Sequence, residues 1–435
     1  MSVKCTVRII ANVVEKENIF IFLVASKRQK LEDVVTLLLN KKGIQIICGS
    51  DRILVRNYDI FSSKVCCFLN DLSEVILFDR NLKLTDVISF AFWLRKRNIN
   101  RYAKQYLDYN KRVGLGIVFH VTPSNIPTNF AYSFVFGLIS GNSNILKVSK
   151  SESEQVKYIL KKIELLFRKK KYKELKESNA FIRYDNDNEI SDYLSSKCDA
   201  RVLWGGNNTI NLFKKFKTNE RAREINFPDR YSICLVNANY LCKLGEKEIK
   251  KVVHDFFNDT YLVDQNACSS PRLIIWYFQQ KKINIKLIKN KFWKLVEKKI
   301  VDYQLDTSLD YQKFSILCET LTTGNYKVGN FFKNSKLCVL QKESITDLSM
   351  LGMLKLGIFF EYETENINEI FKVKNKSIQT LSYIGFEKKY LRKYFEKNAC
   401  TSYDRIVPVG TVLDMDLNWD GYTMPYELSR VVDIK

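Results

Sequence analysis

Between Gly114 and Phe167 the sequence reads as strand, turn, helix, strand, helix, and few folds accept that order. Gly114-Leu115-Gly116-Ile117-Val118-Phe119-His120-Val121 is a mostly apolar run of strand length. It ends at Thr122-Pro123-Ser124-Asn125-Ile126-Pro127, where two prolines impose a turn. Asn129 to Ile139 is apolar on most sides and predicts a buried helix, followed by a turn at Gly141-Asn142-Ser143-Asn144 and a strand from Asn144 to Val148. Ser149 to Phe167 predicts an amphipathic helix with Ser151 as its cap. Strand, crossover helix and strand make a parallel α/β unit. Ligands of parallel sheets gather past the carboxyl ends of the strands. That singles out Ser124 and Asn125 at one strand end and Lys147 to Lys150 at the next.

The pattern recurs. Ala200-Arg201-Val202-Leu203-Trp204 predicts a strand, then come Gly205-Gly206 and a helix over 208–216. Two glycines between a strand and a helix start let a phosphate or nicotinamide approach the backbone. The dinucleotide fingerprint G-x-G-x-x-G is absent, since Gly114-x-Gly116 precedes its strand. Tyr231 to Val236 reads as the strand closing this half. An amphipathic helix over Glu246 to Leu262 leads into Asp264-Gln265-Asn266-Ala267-Cys268-Ser269-Ser270-Pro271, which sets a cysteine in a polar run just ahead of a strand over Leu273 to Phe278. A basic helix follows over Lys286 to Val301. Further strands are expected at Lys336 to Leu340, Gly357 to Tyr362 and Ser377 to Ile384, with a helix at Asn366 to Phe371. Upstream, Ile44 to Cys48 and Val75 to Phe78 read as short strands, and Thr85 to Leu107 as one amphipathic helix.

Composition narrows the function classes. The chain has 435 residues, with 46% hydrophobic and 13% aromatic content, so it can bury sizeable cores. The net charge of +22 invites nucleic acid, anionic surfaces or anionic ligands. No zinc-finger spacing, RNA-binding signature or basic arm accompanies it, so nucleic acid is not expected and an anionic coenzyme is the simpler partner. Eleven cysteines lack any paired framework, which points to a reducing compartment. Two histidines, His120 and His254, exclude a three-histidine metal centre, and no metal site is expected. The charges of the first residues precede the apolar run Ile19 to Ala25 in an order unlike a signal peptide, and no run approaches the roughly 20 apolar residues of a membrane span. The expectation is a cytoplasmic protein.

The motifs together resemble a family. Val121-Thr122-Pro123-Ser124-Asn125, Gly141-Asn142-Ser143-Asn144-Ile145-Leu146-Lys147, Trp204-Gly205-Gly206 and Asp264 to Ser269 occur in the order and spacing of the aldehyde dehydrogenase superfamily. Asp229-Arg230-Tyr231-Ser232, Ala267-Cys268-Ser269-Ser270-Pro271, Arg405-Ile406-Val407-Pro408-Val409-Gly410 and Trp419-Asp420-Gly421-Tyr422 are similar, more narrowly, to the LuxC-type acyl-CoA reductases over roughly residues 85 to 430. The resemblance implies an α/β fold: a three-layer α/β/α cofactor-binding domain, an α/β catalytic domain and a short C-terminal return segment. The expected boundaries are 1–84 for an N-terminal extension, 85–241 for cofactor binding, 242–400 for the catalytic cysteine and 401–435 for the return. It implies NADPH as reductant, Cys268 as nucleophile, Asn125 in the oxyanion hole, Lys147 on the adenosine ribose or its 2′-phosphate, and Ser124, Gly205 and Gly206 beside the cofactor. It also implies an acyl-CoA or acyl-protein thioester substrate, an acyl-protein synthetase as partner and a homo-oligomer. One element of the pattern is missing. Where aldehyde-oxidising members carry a general-base glutamate, this chain reads Asn226-Phe227-Pro228-Asp229, with Glu224 out of register; Glu361 and Glu363 are doubtful matches to a second, ribose-holding glutamate.

The chemistry expected is attack of the Cys268 thiolate on a thioester, reduction of the thioacyl enzyme and release of an aldehyde. Two other readings stay open: a cysteine acyltransferase or thioesterase that keeps Cys268 and dispenses with the nicotinamide, and a catalytically dead, basic binding protein. His254, if joined to Cys268 by one helix, would lie about 21 Å away at ~1.5 Å per residue, so it reads as structural, as His120 does within its apolar strand. Cys198, Cys234, Cys318 and Cys338 also read as structural.

Overall fold

A computed structural model describes residues 36–39, 41–106, 112–149, 153–279, 283–323, 326–331 and 336–435. The apolar run Ile19 to Ala25, Leu107, Lys150 and the cap expected at Ser151 lie outside the described residues. Two sheets organise the chain. The first contains β1 (Gln45–Gly49), β2 (Ile117–Val121), β3 (Ser143–Lys147), β4 (Asn179–Arg183), β5 (Ala200–Trp204) and β6 (Arg223–Phe227) in the spatial order β1-β4-β3-β2-β5-β6. All neighbours are parallel except the edge strand β1. Side chains alternate strictly between two cores. Val118, Leu146 and Phe181 face one apolar cluster, whereas Phe119, Ile145 and Ile182 face another. Helices Ser63–Leu77, Asn129–Ile139 and Glu154–Phe167 cover the first face; Asn188–Lys197 and Asn207–Phe213 cover the second. A strand buried on both faces has no polar side, which is why these strands read as continuous apolar runs.

The second sheet contains β7 (Tyr231–Asn237), β8 (Pro271–Tyr277), β9 (Lys327–Phe331), β10 (Cys338–Gln341), β11 (Ile358–Thr364), β12 (Ile378–Ile384) and β13 (Arg405–Pro408), in the order β9-β10-β11-β8-β7-β12-β13. It is parallel apart from the edge pair β9–β10. Here too one residue in two faces each core, with Ile233 and Leu273 on one side and Cys234 and Ile274 on the other. The chain returns to the first sheet at its end, where Ser429–Val431 pairs antiparallel with Arg112–Gly114. Arg223 Nη1 fixes this return by donating to the carbonyls of Tyr426, Glu427 and Ser429 at 2.7–3.0 Å. Among the described residues no helix is long and apolar enough to cross a membrane.

Several expectations are corrected. Val75 to Phe78 is not a strand. It ends the helix Ser63–Leu77, whose buried Val65, Phe68, Leu69, Leu72 and Ile76 keep the three-and-four spacing of one helical face. Thr85 to Leu107 is not one helix: it breaks into Thr85–Trp93 and Lys96–Tyr106, and Asn98 Nδ2 donates to the Phe92 carbonyl at the break. The strand expected from Gly114 kinks at Gly116, which has φ +140° and packs against the Asp199 carboxylate where any side chain would clash. The helix before Phe167 starts at Glu154, capped by Ser153, whose hydroxyl accepts from the Val156 N–H. Tyr231 to Val236, read as closing the first half, instead lies in the second sheet between β8 and β12. Within the described part of the expected N-terminal extension, the strand expected at Ile44 to Cys48 forms as β1 and adds an antiparallel edge to the first sheet alongside β4.

Candidate active site

The site lies where the carboxyl ends of the first sheet face the amino ends of the second. A cleft of about 1280 Å³ opens there, and Ser124, Asn125, Lys147, Gly205, Gly206 and Cys268 all line it. The topology explains the meeting. The chain runs from β2 outward to β4, then returns to β5 on the other side of β2, so the crevice between β2 and β5 is the switch point where α/β sheets bind ligands. Ser124 and Asn125 stand exposed in the turn after β2, and the turn is pinned by Thr122 Oγ1, which donates to the Lys147 carbonyl at 2.8 Å. Lys147 ends β3, with Nζ 4.2 Å from the centre of the Tyr184 ring. Gly205 and Gly206 link β5 to its helix; a Cβ on Gly206 would meet Asp229 Oδ2 at 2.9 Å. That carboxylate already accepts from the Asn207 N–H at 2.9 Å, so a side chain at Gly206 would have to displace it.

Cys268 sits just before β8, in a segment with unusual backbone. Asp264 and Gln265 both have left-handed φ, +52° and +53°, which non-glycine residues adopt only where surroundings enforce it. Tyr303 donates its hydroxyl proton to Asp264 Oδ1 at 2.5 Å, and Gln265 Oε1 accepts from the Gly357 N–H at 2.6 Å. Beyond the thiol, Ser232 Oγ donates to the Cys268 carbonyl at 2.7 Å. Burial pushes the Cys268 thiol above its ordinary range; the Arg230 N–H and the Arg272 guanidinium act against that, while the carboxylates of Asp420 and Asp229 add to it. Arg272 is itself buried. Its Nη1 donates to the carbonyls of Leu351 and Gly352 at 3.0 and 2.6 Å, and its Nε has no partner among the described residues.

The histidines stand apart. His120 is buried, bonded to Ser133 Oγ at 2.8 Å and Asn144 Oδ1 at 3.1 Å, and burial lowers it to about 4. His254 is exposed on its helix and does not line the cleft. Glu224 is held by Arg201 and by Asn226 Nδ2 at 2.8 Å. Glu361 and Glu363 are tied to Lys289 at 2.7 and 2.5 Å, away from the cleft. Cys198, Cys234 and Cys338 are buried, and Cys318 is exposed. Among the described residues no group of three or more His, Cys, Asp or Glu could hold a metal ion.

Motif reading passes over several cleft residues. Asp259 is buried, accepts from the Gly410 and Val412 N–H groups at 2.6 and 3.3 Å, and is pushed by burial to about 7. Tyr132, Leu262 and Leu413 supply an apolar wall together with Trp419 of the Trp419-Asp420-Gly421-Tyr422 motif. Asp259, Tyr132, Leu262 and Leu413 do not stand beside one another in sequence, so no spacing announces them. Asp420 does carry a signal: Asp-Gly is a strong two-residue turn, and it sets this carboxylate at the cleft.

Comparisons with known proteins agree with this architecture. Solved structures with the same fold include lactaldehyde dehydrogenase from Escherichia coli, at 11% identity and TM-score 0.59 over 84% of this chain and 85% of that one. An NAD-dependent benzaldehyde dehydrogenase from Corynebacterium glutamicum matches at 9% identity and TM-score 0.59, over 91% and 95% of the two chains. Aldehyde dehydrogenase C from Pseudomonas syringae, solved as a mutant with NAD+ and octanal, matches at 11% identity and TM-score 0.55 over 80% and 77%. No curated protein matches the sequence. The family model of LuxC, acyl-CoA reductase, matches residues 54–305, more than half of the chain. With the aldehyde dehydrogenase fold around one cysteine-bearing cleft, this chain belongs to the LuxC acyl-CoA reductase family.

Proposed function

We propose that this protein reduces a fatty acyl thioester, carried on coenzyme A or on a protein, to the aldehyde with NADPH, through an acyl group held on Cys268. The observation that carries the proposal is convergence. A cysteine, an amide side chain, a lysine and a two-glycine turn, scattered over more than 140 positions, line one cleft. The residues fit a nicotinamide dinucleotide: Gly205 and Gly206 leave the backbone bare where a Cβ would crowd Thr209 and Asp229, and Lys147 offers a cation at the next strand end. Those three residues and Ser124 would hold it. When bound, it supplies the hydride that turns the acyl level into the aldehyde level. That one solved relative was captured with NAD+ and octanal supports a nicotinamide and an alkyl aldehyde as ligands of this fold.

The chain's own residues do the rest. Cys268 sulfur attacks the thioester carbonyl and expels the donor thiol. Negative charge gathers on the carbonyl oxygen, and the Asn125 amide with the Cys268 N–H answers it; such a donor contributes roughly 2.7–4 kcal/mol. Asp229, at the place of the missing general base, is committed to the Asn207 N–H. With no glutamate at the place where aldehyde-oxidising members carry the base that activates water, the site favours aldehyde over acid. The apolar wall of Tyr132, Leu262, Leu413 and Trp419 suits an alkyl chain. The test is NADPH oxidation driven by acyl-CoAs of graded length, with aldehyde as product. Oxidation that depends on acyl-CoA supports the reading. Acyl release as free acid, without NADPH consumption, would favour a thioesterase instead.

A further inference from the structure

The Trp419-Asp420-Gly421-Tyr422 stretch is a two-residue hairpin. Asn418–Trp419 pairs antiparallel with Tyr422–Thr423, and Asp420 and Gly421 have φ of +50° and +79°, as a type I′ turn requires. Its tip enters the cleft that Cys268 lines. The Asp420 side chain is 6% exposed, its Oδ1 accepts from Gln379 Nε2 and lies 3.8 Å from Arg230 Nη1. Arg230 is drawn more closely to Asp404, so it neutralises Asp420 incompletely.

A thiol whose pKa is raised must lose its proton to something as it attacks. Neither histidine lines the cleft. Among the other cleft carboxylates, Asp86 accepts from the Val87 N–H, Asp229 from the Asn207 N–H, Asp264 from the Tyr303 hydroxyl and Asp259 from two backbone N–H groups, while Asp414 faces Arg405 and is not among the charges that act on the Cys268 thiol. Of the two carboxylates that act on the thiol, Asp420 and Asp229, the first is not tied to a backbone group.

Building on the thioester reading above, we propose that Asp420 is the proton relay of acyl transfer, taking the Cys268 proton and returning it to the departing thiol. The new S–C bond forms at Cys268, the donor's S–C bond breaks, and the donor leaves as a thiol bearing the proton that Cys268 lost. No reductant and no net proton enter this step. The surroundings suit the role. Burial raises the Asp420 carboxyl to about 6; Arg230 and Gln379 oppose this, Asp404 adds to it and Arg405 opposes it. Near neutral pH the group is therefore ionised as a base, with its acid form close by, which is what a relay needs.

The test measures two rates against pH in the full-length protein: acyl transfer from an acyl-CoA onto Cys268 without reductant, and alkylation of Cys268 by iodoacetamide. Wild type should show an acid limb of acyl transfer centred near pH 6. Asp420→Asn keeps a residue tolerant of left-handed backbone. It should slow transfer about 100-fold and abolish the acid limb, while alkylation near neutral pH becomes faster because a negative charge beside the thiol is gone. A purely structural role would not move the two rates in opposite directions. Wild-type transfer without an acid limb overturns the relay, whether or not the variant folds. So does a folded variant with unaltered transfer or unaltered alkylation. If wild type accepts no acyl group from any acyl-CoA, the thioester reading fails and takes the relay with it; a normal wild-type adduct with unaltered variant kinetics removes the relay alone.

Discussion

At Cys268 two demands compete. Burial in the cleft makes the thiolate costly, and two nearby carboxylates make it costlier, yet attack requires the anion. The cleft offers an N–H from Arg230 and the charge of Arg272 in partial compensation. Reactivity in the free enzyme should accordingly rise with pH and show its midpoint above the ordinary thiol range, which alkylation kinetics would read. Asn125 is exposed toward the same space and has no structural duty in the turn beyond its place in it. Asn125→Ala should lower kcat by roughly 100- to 1000-fold with little change in protein stability; steady-state kinetics and a thermal melt check both halves. Gly206→Ala should weaken dinucleotide affinity, since the added methyl would meet Asp229 Oδ2 at 2.9 Å, as a fluorescence titration with NADPH would register.

At the scale of elements, the helix Glu246–Thr260 is tied to the loop after β13 by Asp259, whose carboxylate takes two N–H groups from Gly410 and Val412. Burial lifts this carboxyl from 3.8 to about 7. A carboxyl raised on folding adds stability while protonated, so the contribution is complete below about pH 4 and is lost as pH climbs to about 7. Asp259→Asn retains an acceptor and cannot ionise. Urea denaturation should show the variant losing less stability than wild type between those values; equal pH dependence would contradict the assignment. Elements also show what sequence patterns convey. The turn at Pro123 to Pro127 and the helix Asn129–Ile139 follow directly from proline geometry and unbroken apolarity. Val75 to Phe78 misleads because four apolar residues fit a strand as well as the last turn of a helix, and only the spacing back to Val65 separates them.

At the scale of the whole molecule, the meeting of two sheets makes the site. The first presents the carboxyl ends of β2, β3 and β5, and the second presents the amino ends of β7 and β8. Ordered motifs bring Ser124, Asn125, Lys147, Gly205, Gly206 and Cys268 to notice, because each sits at an element boundary where turn chemistry marks the sequence. Asp259, Tyr132 and Leu413 leave no such mark: their importance comes from long-range folding that places helix, wall and loop around one space. The allegiance of Tyr231 to Val236 was illegible for the same reason, since an apolar strand of either sheet has the same composition. The tail closes the molecule by returning across both units, and Arg223→Ala, which removes three bonds to its carbonyls, should lower the melting temperature by several degrees.

The central claim is that Cys268 carries the acyl group. Incubation of the protein with an acyl-CoA in the absence of reductant, followed by intact and peptide mass measurement, tests it directly. The expected result is a mass increase of one acyl group on the peptide containing Cys268, absent from Cys268→Ala and discharged as aldehyde when NADPH is added. An unmodified Cys268, or an acyl group found on another residue and still formed by Cys268→Ala, would contradict it.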